Sequence, residues 1–318
     1  DWSYGLNVIG DNMQRSTFNK AVVPGLFSFM SEAYKPKNTE QLWRKLAKVK
    51  NSNRTYEESA YFAGFGFIPK KIEGQAIAYD QLIQGPTKRW THVTYGLGAK
   101  VSEELIEDTL YPEIPTEMQA ISRELGSSAN ETLEVLTHDI INNGASTTYH
   151  TDGLSGALFA TSKTRLRGGT WNNLLSPAAD LSATSLQAAL TEFENQKDDA
   201  GKIQIIRAKE IWVAPANEWK AKELINSAYD PESPNNSVNV IQTRNLTVQV
   251  SPFLTDTNAF TLVADPPHEN SGIIAFLRRK VTFAQDGNFE TGDALFKVTF
   301  RFSVECNKPI NLYHSAGT

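Results

Sequence analysis

The sequence predicts an α+β fold in which a packed body carries two projecting appendages, and three observations lead there. Phe296, Val298, Phe300, Phe302, Val304 and Cys306 alternate without a break against Lys297, Thr299, Arg301, Ser303 and Glu305, the period-two signature of a strand with one buried and one wet face. Met118, Ile121, Leu125, Ala129, Leu133, Leu136 and Ile140 recur at steps of three or four, a single apolar stripe along one long helix. Between residues 61 and 101, Gly64, Gly66, Gly85, Gly96 and Gly98 punctuate two runs rich in aromatic and β-branched residues, the pattern of a long hairpin.

A chain of 318 residues has material for one large or two intimate modules, and 40% hydrophobic with 21% charged residues is ordinary globular composition. With 31 basic against 36 acidic side chains the net charge is −5, so no global attraction holds the chain to polyphosphate, and sequence reading of DNA or RNA is disfavoured. Cys306 is the single cysteine, which excludes an internal disulfide and a thiolate metal site. The apolar run Ala21–Met30 is short, broken by Pro24 and Gly25 and without a basic leader, so it reads as neither signal peptide nor membrane span. Asp1 in first place fits either removal of a leader piece or an incomplete sequence.

Residues 1–50 read as an arm. A polar lead with Pro24, Gly25, Pro36 and Asn38 is followed by Thr39–Lys50, where Leu42, Leu46 and Val49 predict one short amphipathic helix. Such an arm has too little apolar surface to fold alone and must lie against something else. In residues 51–105 the runs Ala76–Gln84 and Lys88–Leu97 are joined by Gly85-Pro86-Thr87, which predicts a hairpin turning at those three residues. Trp90, His92 and Thr94 occupy one face of the second run, and Val93 and Tyr95 the other. A two-stranded ribbon apolar on both sides is marginal in water and asks for a covering partner.

The long helix is predicted from about Pro115 to Asn143, with Pro115 suited to the first turn, Gly144 as the stop and Gly126-Ser127-Ser128 as a soft spot or bend. At 1.5 Å per residue it spans roughly 40 Å. A loop-rich stretch containing Arg165-Leu166-Arg167-Gly168-Gly169 precedes an α/β module. There Leu186, Ala189, Leu190 and Phe193 mark one helix, Ala221, Leu224, Ile225 and Ala228 another, and Glu210–Ala214 a buried strand. Further strands are predicted at Val238–Ile241, Leu246–Val250, Ala259–Ala264 and Ile273–Phe283, the last able to pair antiparallel with Phe296–Cys306.

No catalytic constellation stands out. His92, His138, His150, His268 and His314 are scattered, with no two at helical ligand spacing. Gly64-Phe65-Gly66 lacks the third glycine and lysine of a phosphate loop, no Gly-x-Ser-x-Gly elbow occurs, and Cys306 lies on the apolar face of its strand. Glu103-Glu104 and Glu107-Asp108 read as solvated charge. Lys70-Lys71 and Lys88-Arg89 decorate the hairpin, where they either pair with acids on a neighbour or serve as solubilising charge.

The order of parts, from extended arm through glycine-punctuated hairpin, long helix and α/β module to long final strands, resembles the major capsid proteins of tailed bacteriophages, the Hong Kong 97 fold. It is similar in particular to the Mu-like major head subunit group. The residues that carry the resemblance are the hairpin Tyr61–Val101, the helix Pro115–Asn143, the run Glu210–Ala228, and the segments Asn258–Asp265, Ile273–Phe283 and Phe296–Cys306. It spans nearly the whole chain through architecture rather than single residues.

What the resemblance implies is a shell subunit without catalytic, cofactor or metal residues. Residues 1–50 would be the N-terminal arm and 51–105 the extended hairpin, or E-loop, lying over an adjacent subunit. Residues 106–164 would hold the spine helix of the peripheral P-domain, 165–265 the axial A-domain, and 266–318 the strands completing the P-domain. On the hairpin, Lys70, Lys71, Tyr79, Lys88, Arg89, Trp90, His92 and Tyr95 would face the neighbouring subunit. The implied partners are further copies in hexamers and pentamers of an icosahedral lattice, portal, cement or scaffolding proteins, and packaged double-stranded DNA held without sequence-specific binding, with no membrane. The implied place is the phage head, assembled in the host cytoplasm. Two alternatives stand beside this reading: an encapsulin-like compartment of the same fold, and a two-module α/β enzyme with its site around His150, Asp152 and Arg167.

Overall fold

The computed structural model describes residues 29–34, 41–102, 104, 116–148, 156–229, 231, 238–265, 271–288 and 290–318. Their elements in chain order are α1 (29–34), α2 (Leu42–Leu46), β1 (Lys48–Asn51), β2 (Tyr56–Ala63), β3 (Ile83–Thr91), β4 (Val93–Val101), α3 (Thr116–Asn142), β5 (Lys163–Thr164), β6 (Thr170–Trp171), α4 (Ala183–Glu194), β7 (Ala208–Val213), α5 (Glu218–Asn226), β8 (Thr247–Val250), β9 (Phe260–Ala264), β10 (Gly272–Gly287), β11 (Ala294–Asn307) and β12 (Leu312–Ser315). They fall into two compact units. One comprises the described residues of 1–41, 94–132 and 279–301, the other those of 42–93, 133–278 and 302–318.

In the first unit, the N-terminal half of α3 receives α1 at Gly126. A methyl group there would stand 2.4 Å from the Met30 carbonyl oxygen and 3.0 Å from the Ala33 methyl, so the missing side chain is what lets the two backbones meet. The helix runs unbroken through Gly126-Ser127-Ser128, and Gly126 is the close-approach point. Around it, the Arg123 guanidinium lies 4.9 Å from the centre of the Phe29 ring, and the Gln41 side chain donates to Tyr34 O and Asn130 Oδ1 at 2.9 and 3.0 Å. The outer halves of β10 and β11 continue into a turn whose ends are tied by Asn288 N–H to Asp293 O at 2.9 Å. Beside β11 runs β4, where Tyr95 stacks on Phe300 at 5.2 Å and Lys100 pairs with Asp293 at 2.5 Å.

The second unit contains a sheet in the order β12-β9-β7-β8, with β7 parallel to β8, antiparallel to β9, and β12 antiparallel to β9. Ile211, Trp212 and Val213 are fully buried, as a near-continuous apolar strand covered on both faces must be. Leu186, Leu190 and Phe193 of α4 and Leu224 and Ile225 of α5 share one apolar core with this sheet. The start of α4 is set by a Ser182/Ser185 capping box, which satisfies two backbone donors reciprocally. Val238–Ile241 is not the predicted strand. Asn239 Oδ1 accepts the Ile241 N–H at 3.0 Å and turns the chain into a 3-10 segment, Ile241–Arg244, closed by left-handed Asn245. The strand β12 lies in this sheet, antiparallel to β9.

The same unit anchors the arm. Of the helix predicted over Thr39–Lys50 the described residues hold a helix at Leu42–Leu46, and Lys48–Asn51 is β1, parallel to Ile274–Leu277 of β10. β-Branched Val49 between two lysines suits a half-covered edge strand better than another helical turn. The anchor is Trp43, fully buried and edge-on to Phe302 at 5.9 Å.

The ribbon also departs from expectation. Its strands are β2 and β3, antiparallel from Tyr56↔Thr91 to Ala63↔Ile83, and its tip is residues 64–82. Gly85-Pro86-Thr87 therefore lies inside β3 and is no turn, and Ala76–Leu82 belongs to the tip. The register shifts between Ala60 and Phe62, which sets two residues, Gly85 and Pro86, against Tyr61. A bulge absorbs the extra residue and tolerates a proline that cannot donate to the ladder.

Candidate functional site

Chemistry-bearing groups in the described residues serve the fold. No cluster of three or more His, Cys, Asp and Glu suited to a metal occurs among the described residues, and His150 and Asp152 lie outside them. One arrangement that sequence reasoning missed looks like a catalytic relay. His138 Nε2 is 2.9 Å from Ser251 Oγ, and Glu134 Oε2 is 3.6 Å from His138 Nδ1, but Ser251, His138 and Glu134 are only 0%, 0% and 2% exposed. Substrate has no route to a hydroxyl sealed this way. The carboxylate instead accepts the Trp43 N–H at 2.8 Å and caps α2. Burial raises the Glu134 carboxyl to about 7, against the pull of the Trp43 and Leu42 amides, while burial lowers the His138 imidazole. His314, buried, bonded to Thr261 Oγ1 at 2.9 Å and stacked on Phe159, is pushed down to about 4 by desolvation.

The unsatisfied surface is elsewhere. Nine of the twenty exposed large apolar side chains among the described residues lie between 62 and 83, at or beside the ribbon tip. Phe67, Ile68 and Tyr79 are 77%, 97% and 96% exposed, so they have almost no cover from their own chain. Large apolar side chains this open to water and this close together in sequence are unusual on a free protein surface. Lys70 and Lys71 are exposed on the same tip.

The eight hairpin residues expected to face a neighbour divide accordingly. Lys70, Lys71 and Tyr79 are on the tip and open. Trp90 and His92 are not available: Trp90 is buried, donates Nε1–H to Ile274 O at 3.2 Å and packs edge-on to Phe276, while buried His92 lies between Ser303 Oγ and Ser52 Oγ at 2.9 and 3.1 Å. Their aromatic surface packs at the base of the ribbon within the chain. Lys88 pairs with Glu305 at 2.9 Å, Arg89 with Glu58 at 2.6 Å and over the Tyr56 ring, and half-buried Tyr95 stacks on Phe300. The ribbon is further held at its bulge, where Lys308 lies 4.8 Å from the centre of the Tyr61 ring.

The tip itself is ordered by Asp80. Its carboxylate accepts the Gly66 N–H at 2.9 Å, the Gln81 N–H at 2.8 Å and Arg167 Nη1–H at 2.9 Å, and these donors, Gly66 foremost, hold its pKa below the usual carboxylate value. Arg167 also donates to Gln81 O.

A family model described as phage capsid protein matches residues 85–315. No curated protein matches by sequence. Among solved structures, the capsid of the cyanophage P-SCSP1u aligns with a TM-score of 0.56 at 10% identity, covering 86% of each chain. The virus-like particle from Pyrococcus furiosus aligns at 0.51 and 12% identity over 92% of this chain and 97% of that one. The SrpI encapsulin complex from Synechococcus elongatus PCC 7942 aligns at 0.52 and 11% identity over 87% of each.

Proposed function

Because the chain belongs to the phage capsid protein family and is a structural major capsid protein of the Hong Kong 97 fold, we propose that its copies close into hexamers and pentamers of an icosahedral head around double-stranded DNA. The protein is a virion component that acts by self-assembly and not by catalysis. Within the tailed phages the reading extends to the Mu-like major head subunit group, on the order of arm, ribbon, spine helix and α/β module. Assembly takes place in the host cytoplasm, with a portal at one vertex and cement or scaffolding proteins as further partners. DNA is enclosed without sequence readout, in keeping with a net charge of −5.

The observation that carries the proposal is the apolar tip. Covering one fully exposed large apolar side chain is worth about 1.5–3 kcal/mol. Several such side chains on every copy offset the entropy of association and the ordering of a long loop. Each subunit presents its tip to one neighbour and receives another, a heterologous contact that closes when rotation permits. Lys70, Lys71 and Tyr79 are the tip residues assigned to this contact, with Lys88, Arg89 and Tyr95 nearer its base.

The test is negative-stain microscopy and sedimentation of the purified protein beside the double variant Ile68→Ser/Tyr79→Ser. Shells from the natural protein, and unassembled but equally heat-stable subunits from the variant, are expected. Normal shells from the variant would overturn the assignment. An encapsulin-like compartment is the second reading, and nuclease-protected DNA inside the particle separates the two.

A further inference from the structure

We propose that Arg167 is the positioning residue of the assembly tip: from the turn Arg165–Gly169 it pins residues 64–82 so that their apolar side chains are presented in one arrangement. The inference rests on the capsid reading and adds to it the device that prepares the contact before a second copy arrives.

Residues 64–82 contain no helix or strand. A loop of that length is rarely ordered by its own backbone, and fixing each residue costs free energy that any docking partner must otherwise supply. Here the order comes from outside the loop. The guanidinium fork reaches two points of the returning limb, Asp80 Oδ1 at 2.9 Å and Gln81 O, while the same Asp80 carboxylate reaches across to the outgoing limb at Gly66 N–H, 2.9 Å. One side chain thus closes the loop on itself through a shared carboxylate.

The turn is built to deliver that side chain. Gly168 and Gly169 take φ of 95° and 82°, and Arg165 N–H bonds Gly169 O at 3.0 Å, a reversal that a β-carbon at either glycine would strain. Leu166 packs into the ribbon where it bulges. A β-carbon on Gly85 would stand 3.1 Å from Leu166 Cδ1 and 2.8 Å from Tyr61 Cε2, so the glycine opens the seat in which the turn rests. Lysine at 167 would keep the charge but not the planar fork that reaches both acceptors.

The test uses the full chain and three variants, Arg167→Ala, Arg167→Lys and Asp80→Asn. Amide exchange is read across residues 64–82 of the unassembled subunit, together with the threshold concentration for shells by sedimentation and the melting temperature. With Arg167→Ala and Asp80→Asn, exchange in 64–82 is expected to accelerate and the threshold to rise about fivefold or more, the equivalent of ordering one loop residue. The melting temperature is expected to stay within a degree or two, and Arg167→Lys to fall between. Unchanged exchange in 64–82 for both Arg167→Ala and Asp80→Asn would overturn the proposal, as would faster exchange with an unchanged threshold. If the natural protein forms no shells, the capsid reading fails on its own, and exchange in the subunit still decides whether Arg167 orders the tip.

Discussion

Replacing Glu134 by glutamine isolates a buried carboxylate whose pKa burial raises to about 7. Glutamine keeps an acceptor for the Trp43 N–H but cannot ionise. Burial raises the carboxyl from 4.5 to about 7, so the folded state favours its protonated form. The associated stability is fully present below pH 4.5 and is lost as pH rises through about 7. At 1.36 kcal/mol per pH unit, the gap between 4.5 and about 7 amounts to about 3 kcal/mol. Urea unfolding of unassembled subunits at pH 4.5, 6 and 7.5 reads it directly. Natural protein minus Glu134→Gln should change by about 3 kcal/mol in favour of the variant over that range. His138 and His314, both lowered by burial, work in the opposite sense, losing their stability as pH falls below 6.5. Both proteins carry them, so the subtraction removes His314, while His138, 3.6 Å from the carboxylate, stays coupled to the change and is followed separately by its own pH titration. Parallel stability curves for the two proteins would refute the reasoning, since they would mean that Glu134 ionises no differently in the folded and unfolded chain.

Gly126→Ala should loosen α1: the helix gains about 1 kcal/mol of propensity, but a methyl 2.4 Å from the Met30 carbonyl forces the backbones apart at about 1–3 kcal/mol, and faster amide exchange in 29–34 is the readout. Phe193→Ala empties the centre of the α/β core, where the ring is fully buried 6.0 Å from Tyr313, and should cost about 3–5 kcal/mol in urea unfolding. Cys306, buried on β11, should resist a thiol reagent in the folded subunit and react at the rate of opening, checked by labelling with and without urea.

Periodicity located most of the body because its strands and helices are amphipathic or continuously apolar over several residues. The alternation from Phe296 to Cys306 and the stripe through Leu125, Leu133 and Ile140 leave one reading each. Local signals failed where a distant partner sets the outcome. Gly85-Pro86 carries turn chemistry, but Tyr61 opposite and Leu166 beside it make it a bulge. Val49 continues a helical period until Ile274–Leu277 offers a strand to pair with. The spacing Glu134–His138 is visible in the helix, whereas Ser251 and the Trp43 amide that complete the cluster are far away in sequence. The sequence points to a ribbon in need of cover, but sets its turn at Gly85-Pro86-Thr87 rather than at residues 64–82. The ordering of the tip by Arg167 was not legible, because a lone arginine beside two glycines carries no sign of the carboxylate it meets.

The place of β12 bears on how the polypeptide is made. Leu312–Ser315 zips onto β9, His314 bridges back to Leu174, and Tyr313 fills the core against Phe193. A ribosome must therefore extrude everything through Ser315 before the module begun near Leu174 can seal. Nascent chains interrupted earlier are left with an open hydrophobic wound that chaperones and proteases read.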